Sequence, residues 1–212
     1  MEKIVNMLTE QLDTSKFKIY KELDDLVVVD YRDNLKRLRG YGKRPEKVSL
    51  VVYHHSAGNE NCDWTKDPQW QEFVDGVNHW HTKGLGWPAC GYHIMVPYSA
   101  LEHNGKNCVI LANALGTMSY HTGRGRNAYG IGVCFQGNFA GPVNDSGLRP
   151  SDFQKECAHS IWLSWLQPDF NLADYQLTGH FNHGKQACPG EDLADIIYAH
   201  QMGFTLGGML VQ

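Results

Sequence analysis

Short apolar runs bounded by turn residues predict a series of β-strands along this chain. Residues 48–55 are apolar and rich in β-branched side chains, without alternating polar positions, which is typical of a strand buried on both faces. Comparable short runs predict further strands at residues 26–29, 91–96, 130–135 and 175–178.

Helical periodicity appears between these strands. Within residues 67–82, apolar and aromatic positions recur at i, i+3, i+4, i+7 and i+11, and they are Trp70, Phe73, Val74, Val77 and His81. Ser151 and Gln154 form a capping-box pattern that opens a helix reaching about Leu166, before Pro168. A last helix is predicted at residues 191–202.

A short amphipathic helix is also predicted near the start of the chain, from Ile4, Met7, Leu8 and Leu12. Strands and helices alternate from residue 48 onward. This order predicts an α/β fold with a central mixed β-sheet flanked by helices.

Composition narrows the class of protein. The chain has 212 residues, 42% of them hydrophobic and 11% aromatic, which suits one ordered domain with a sizeable core. The net charge of −4 argues against general nucleic-acid binding. No run approaches the roughly 18 apolar residues of a membrane span, and no heptad repeat demands a dimer, so we expect a monomer.

The first 46 residues are predicted to form an N-terminal extension that precedes a catalytic domain at residues 47–212. Acidic residues spread through the first thirty positions leave no apolar core for a signal peptide, so we expect synthesis in the cytoplasm. Residues 32–47 hold seven of the nineteen Lys and Arg residues, and two acids. This basic segment either contacts an anionic surface or forms a solvated connector, and the connector is favoured.

A histidine and a cysteine near the end of the chain carry the clearest chemical signal. His180 and Cys188 lie eight residues apart in LTGHFNHGKQACPG, and His54 and His55 end the strand in VVYHHSA. Two imidazoles and one thiolate, with a fourth position left for water, describe a catalytic zinc site. His54 and His55 point to opposite faces of a strand, so they cannot both be ligands, and periodicity does not choose between them. The other five cysteines are predicted to be small core residues.

Four ordered segments together resemble a known family. They are VVYHHSA, HWHTKGLGWPACGYHIMV, SYHTGRGRNAYGIGVCFQGNF and LTGHFNHGKQACPG. The chain resembles the zinc-dependent N-acetylmuramoyl-L-alanine amidases of the amidase-2 family, which is related to the peptidoglycan recognition proteins and to phage amidase lysozymes. The resemblance covers roughly residues 48–203 and implies a zinc ion held in a groove at the edge of the sheet.

The resemblance also implies roles for individual residues. His54 matches the first zinc ligand, His180 the second and Cys188 the third. His55 is then left beside the site, in the core or next to the substrate. Tyr92 matches a tyrosine beside the metal, whose hydroxyl would donate to the oxyanion formed during amide hydrolysis.

Phage relatives carry a lysine six residues after the second ligand, and many others carry threonine, but here that position is Gln186 and Lys185 precedes it. Either side chain is a candidate for this catalytic role. His121 matches a position that lines the substrate groove, where it would contact the muramyl or peptide portion.

The expected function is hydrolysis of the amide bond between N-acetylmuramic acid and L-alanine in peptidoglycan, most simply by a phage or prophage endolysin that acts on the cell wall. One alternative is a cytoplasmic amidase that recycles anhydromuropeptides. A second is a binding module that recognises wall fragments without cutting them. All three ligand positions are intact, which argues against the binding module, and only Gln186 favours it.

Overall fold

Nine strands among the described residues form one mixed sheet. The computed structural model describes residues 9–57, 70–123, 125–140 and 148–203. The strands are β1 (Glu10–Gln11), β2 (Lys18–Glu22), β3 (Leu26–Asp30), β4 (Leu50–His55), β5 (Ile94–Val96), β6 (Leu101–His103), β7 (Lys106–Leu111), β8 (Gly130–Phe135) and β9 (Leu177–Gly179).

The half of the sheet that contains β4 and β9 is parallel. β5, β8, β4 and β9 lie side by side in this order, and each neighbouring pair is parallel. β7 joins this half through an antiparallel pairing with β5, while β6 pairs with the same edge of β7 nearer its start. Because parallel strands end at one edge of a sheet, the carboxyl ends of β4 and β9 lie next to each other.

The N-terminal segment contributes to this sheet. β3 pairs in parallel with β7 over five residues, and β2 pairs with β3 in antiparallel orientation. The four residues from Leu26 to Val29 are fully buried. The division at residue 47 stays a prediction, but the described part of the extension is a structural part of the sheet.

Helices complete the fold. They are α1 (Trp70–His79), α2 (Asp152–Ser160), α3 (Gln167–Phe170) and α4 (Glu191–Gln201), with π-helical turns at Trp80–Gly84 and Ile161–Leu166. α2 packs on the sheet through Tyr53 of β4, whose hydroxyl donates to the Ala158 carbonyl at 2.6 Å. Among the described residues, no helix combines the length and hydrophobicity that crossing a membrane requires.

The predicted fold class is confirmed, and most predicted elements are present. The strand at residues 130–135 has the predicted bounds, and Ser151 caps α2 with the predicted capping box. The predicted end before Pro168 is wrong: helical structure continues to Phe170, because Pro168 stands in the first turn of α3, where its missing N–H is tolerated.

Some predictions lie partly outside the described residues. Of the helix predicted near the chain start, Ile4, Met7 and Leu8 fall outside them, and so do the first three residues of the predicted helix at 67–82. Leu12 lies just after β1, outside any helix.

Candidate metal centre and its groove

The predicted ligands converge where β4 and β9 end. His54 is the fifth residue of β4, and His180 directly follows β9 in the short helical turn His180–His183. Cys188 is brought back by the loop that follows. The Nδ1 atoms of His54 and His180 lie 3.1 Å apart, and the Cys188 Sγ lies 4.0 Å from His54 Nδ1.

These distances fit a tetrahedral zinc ion. Zn–N bonds of about 2.0–2.1 Å and a Zn–S bond of about 2.3 Å separate two ligand nitrogens by about 3.3 Å, and a nitrogen from the sulfur by about 3.6 Å. One ligand atom from each of the three residues lies within 4.8 Å of the others. A small movement of the thiol therefore suffices to complete the site.

Backbone hydrogen bonds hold the ligand loop in place. The Phe181 N–H donates to the Cys188 carbonyl at 2.7 Å, and the Cys188 N–H donates to the Lys185 carbonyl at 2.9 Å. The His55 N–H donates to the Cys188 sulfur at 3.4 Å. This last bond favours the thiolate, which is the form that binds a metal.

Burial sets the protonation of the three ligands. It holds the pKa of His54 well below its usual value, an effect that His121 and His180 reinforce, and it lowers the pKa of His180 to about 4. Both imidazoles are therefore neutral near pH 7 and able to bind a metal. Burial raises the pKa of the Cys188 thiol to about 12, so metal binding at neutral pH must displace this proton.

Tyr92 lies beside the ligands. Its ring centroid is 5.1 Å from that of His54, and burial, reinforced by the Cys134 and Cys188 thiols, raises the pKa of its hydroxyl well above the usual value. The hydroxyl is therefore a proton donor at all physiological pH values. The His81 ring centroid lies 5.3 Å from that of Tyr92, and the His81 Nδ1 accepts from the Gly91 N–H at 3.0 Å, which fixes the loop that carries Tyr92.

The His121 ring contacts His54, the first candidate ligand, through its Nδ1 atom. Its Nδ1 lies 3.2 Å from His54 Nε2, and its Nε2 lies 3.1 Å from the Gly130 carbonyl oxygen. The residue is 5% exposed. Both ring nitrogens are thus engaged by the protein.

Two cavities flank the ligand loop and separate the two candidates for the additional catalytic role. Lys185 lines a cavity of about 770 Å³ together with His121 and His180, and its walls include Trp87 and Tyr120. Gln186 instead lines a cavity of about 490 Å³, on the side of Phe139, Phe181 and Tyr198. Of these two candidates, Lys185 is therefore the one that lines a cavity together with a candidate metal ligand, His180.

Comparison with known proteins identifies the family. The amidase-2 family model, described as N-acetylmuramoyl-L-alanine amidase, matches residues 44–191. The chain belongs to the amidase-2 family. Residues 54, 180 and 188 all fall inside the matched stretch.

Relatives of this amidase-2 protein include recognition proteins and lytic enzymes. Peptidoglycan recognition protein 1 of Bos indicus is 29% identical over 153 residues, which are 72% of either chain. The human recognition protein PGRP-IβC, solved with a glycosamyl muramyl pentapeptide, superposes with a TM-score of 0.63 at 17% identity, covering 84% of this chain and 98% of that one. The Clostridium intestinale endolysin amidase LysCS gives a TM-score of 0.58 at 19% identity, covering 87% and 99%.

Alternation of side chains along β4 explains why His55 faces away from His54 and the site in this amidase-2 protein. His55 alternates to the opposite side of β4, where its Nδ1 accepts from the Phe139 N–H at 3.0 Å. Its burial lowers its pKa to about 4, which matches a neutral acceptor. The structure gives His55 this structural contact, and its role beside the substrate stays a prediction.

Three residues of this amidase-2 site escaped sequence reasoning. Trp87 and Tyr120 form aromatic walls of the larger cavity, although both lie within the family segments quoted above. Arg44 belongs to the basic segment that was read as a solvated connector, and for this residue the reading is wrong. It is 8% exposed, and backbone carbonyls surround its guanidinium, including that of Gly130 at 2.9 Å.

Proposed function

We propose that this protein is a zinc-dependent amidase that hydrolyses the bond between N-acetylmuramic acid and L-alanine in peptidoglycan. The observation that carries the proposal is the convergence of His54, His180 and Cys188 in a chain that belongs to the amidase-2 family. Two neutral imidazoles and a thiolate leave one coordination position for water or substrate, which is the donor set of a catalytic site.

Amide hydrolysis needs a stronger nucleophile than free water and a more electrophilic carbonyl. A zinc ion bound to the three ligands would supply both, because it lowers the pKa of bound water and polarises a carbonyl oxygen. The three residues would hold this ion at the carboxyl ends of β4 and β9, where His180 lines the cavity that Trp87 and Tyr120 also line.

Tyr92 stabilises the developing charge in this account. Its hydroxyl stays protonated because burial raises its pKa, so it can donate a hydrogen bond to the oxyanion as the carbonyl carbon becomes tetrahedral. The neighbouring His81 and Gly91 fix the loop, which keeps this donor in position without reorganisation.

Lys185 is proposed for the role that a lysine fills in the phage relatives. It lines the same cavity as His180, whereas Gln186 lines the cavity on the other side of the loop. A lysine ammonium on this wall would attract the carboxylates of a stem peptide and the oxyanion of the reaction. The one-residue offset from the family pattern is therefore compatible with catalysis.

The relatives and the cavity support the proposed substrate class. One structural relative binds a glycosamyl muramyl pentapeptide and another is an endolysin. Aromatic walls suit the apolar faces of sugar rings, and a cation suits a peptide carboxylate. We propose a monomeric phage or prophage endolysin, made in the cytoplasm and acting on the wall, with no nucleic-acid partner.

A binding module without activity is the second candidate. Gln186 favours it, because it stands where family members carry lysine or threonine. In that case the groove would retain wall fragments and release them unchanged.

Mass spectrometry of a defined disaccharide pentapeptide incubated with the protein tests the proposal. We expect two products, the free disaccharide and a pentapeptide with a free L-alanine amine. An intact substrate that nevertheless binds would establish the binding module. Parallel reactions with intact cell walls and soluble anhydromuropeptides would separate an endolysin, which prefers walls, from a recycling amidase.

A further inference from the structure

We propose that His121 is a positioning residue that fixes the tautomer of His54, so that the Nδ1 lone pair of His54 faces the metal. The proposal rests on the proposed zinc function. It assigns His121 a role other than substrate contact, and three features of the structure carry it.

The first feature is the direction of the hydrogen bonds. The Gly130 carbonyl oxygen can only accept, so the His121 Nε2, at 3.1 Å, must carry the proton. A neutral imidazole has one N–H, so His121 Nδ1 is an acceptor. His54 Nε2, 3.2 Å away, must then donate to it. The remaining nitrogen of His54 is Nδ1, the atom that lies 3.1 Å from His180 Nδ1.

The second feature is a pair of glycines in β8 against which the His121 ring packs. Gly130 and Gly132 lie two residues apart on β8 and so on the same face of the strand. A Cβ at position 132 would lie 2.7 Å from His121 Cγ and 2.8 Å from its Nδ1, and one at position 130 would lie 3.2 Å from Cε1. Side chains at these positions would push the ring away from His54. The Gly-x-Gly pattern of β8 thus leaves the space that this imidazole occupies, and Gly130 also accommodates the Arg126 carbonyl oxygen, which would lie 3.0 Å from a Cβ at that position.

The third feature is the anchoring of the Gly130 carbonyl group, which accepts the hydrogen bond from His121. Arg44 Nη1 donates to the Gly130 oxygen at 2.9 Å, so this oxygen accepts from both Arg44 and His121. Arg44 also donates to the carbonyls of Leu115 at 3.1 Å and Thr117 at 3.0 Å. One buried guanidinium therefore ties the segment before His121 to the strand beneath it.

The backbone around His121 is fixed as well. The Asn127 Oδ1 accepts from the His121 N–H at 3.1 Å and from the Thr122 N–H at 2.9 Å. Because both ring nitrogens are engaged and the side chain is 5% exposed, no donor or acceptor of His121 is left for a substrate. Partners that orient a metal-bound histidine in this way commonly set metal affinity.

A matched pair of variants separates this role from packing. In His121→Asn, the amide oxygen takes roughly the place of Nδ1 and can still accept from His54. In His121→Leu, the side chain is similar in size and branching to asparagine but offers no hydrogen-bond acceptor. Zinc affinity, measured by competition with a chromophoric chelator, should fall about 10–100-fold in the leucine variant and only a few-fold in the asparagine variant. Equal losses in both variants would overturn the proposal.

A second measurement needs neither zinc nor a variant at position 121. Long-range ¹H–¹⁵N correlation spectra of the zinc-free wild-type protein report which nitrogen of each histidine carries the proton. The His54 signals are identified by their loss in His54→Gln. We expect a protonated Nε2 and an unprotonated Nδ1, and the opposite tautomer would overturn the proposal. Absence of hydrolysis would refute the proposed function, but it would not alter this reading.

Discussion

The assignment of Lys185 gives a prediction in which two adjacent residues act as each other's control. Lys185 and Gln186 are both exposed, but only Lys185 lines the cavity that contains His180. Replacing Lys185 with methionine keeps most of the side-chain length and removes the charge. We expect kcat/KM for muropeptide hydrolysis to fall while zinc content stays the same.

The size of the effect follows from the exposure of the lysine. Two unit charges about 4 Å apart interact by about 1 kcal/mol in water and by about 4 kcal/mol at an effective permittivity of 20. Because Lys185 is exposed, the lower part of this range applies. A loss of about 1–2 kcal/mol corresponds to a decrease of about 5–30-fold in kcat/KM.

The assay compares Lys185→Met and Gln186→Met on one soluble muropeptide at low and high ionic strength. Gln186→Met should stay within about 2-fold of the wild-type rate. The lysine effect should shrink at about 1 M salt, where the screening length falls to about 3 Å. A larger decrease in kcat/KM for Gln186→Met than for Lys185→Met would contradict the assignment of Lys185 and return the catalytic role to Gln186.

Four further predictions test other parts of the account. Cys188→Ser should lose most of its zinc and nearly all hydrolysis, and metal analysis showing full zinc occupancy would exclude this thiol as a ligand. Tyr92→Phe should reduce kcat by about 10²–10³-fold with zinc content unchanged, the effect of losing one oxyanion donor; an unchanged kcat would make Tyr92 a packing residue. His159 and His200 form a buried pair at 2.8 Å, and burial lowers the pKa of His200 to about 4. Because the unfolded chain binds more protons at this histidine below pH 6.5, His200 alone should contribute about 2 kcal/mol to the loss of stability between pH 7.5 and pH 5; denaturant unfolding should show a stability loss smaller by about this amount in His200→Gln, and an unaltered pH dependence would contradict the assignment. Deleting residues 1–46 removes β3 and uncovers β7, so cooperative thermal unfolding should disappear, whereas a folded, active truncation would show that the sheet does not need this segment.

The parallel half of the sheet could be predicted from the sequence because its strands are buried on both faces. All six residues of β4 and all six of β8 are buried, and continuous apolar runs reveal such strands. The same burial explains why periodicity did not choose between His54 and His55. A strand without a polar face gives no sign of which side carries the site.

Strand β2 and the hairpin of β6 and β7 were not predicted, for different reasons. β2 is mostly exposed and has no alternation, so its pairing with β3 depends on long-range contacts that local pattern does not reveal. The hairpin of β6 and β7 was missed although Asn104 and Gly105 connect the strands, both with positive φ. An Asn-Gly pair of this kind is a strong hairpin signal, and here the local pattern was sufficient.

The site itself shows a similar division. The three candidate metal ligands, which the structure brings together, could be predicted from residue type and family resemblance. The contact of His54 with His121 joins residues 67 positions apart, and the burial of Arg44 depends on carbonyls from two separate segments, residues 115–117 and 127–130. The sequence signal for these contacts is the pair Gly130 and Gly132 in β8, because a glycine within a strand often marks a place where another group approaches the backbone closely.

Zinc analysis coupled to removal and return of the metal tests whether hydrolysis of the muropeptide depends on zinc. The purified protein would be assayed for zinc and for release of L-alanine-terminated peptide from a defined muropeptide, before chelation, after chelation and after zinc is restored. We expect one zinc per chain, loss of peptide release on chelation, and recovery when zinc is added. Peptide release that persists in the zinc-free protein, or a zinc-loaded protein that leaves the muropeptide intact, would contradict this expectation.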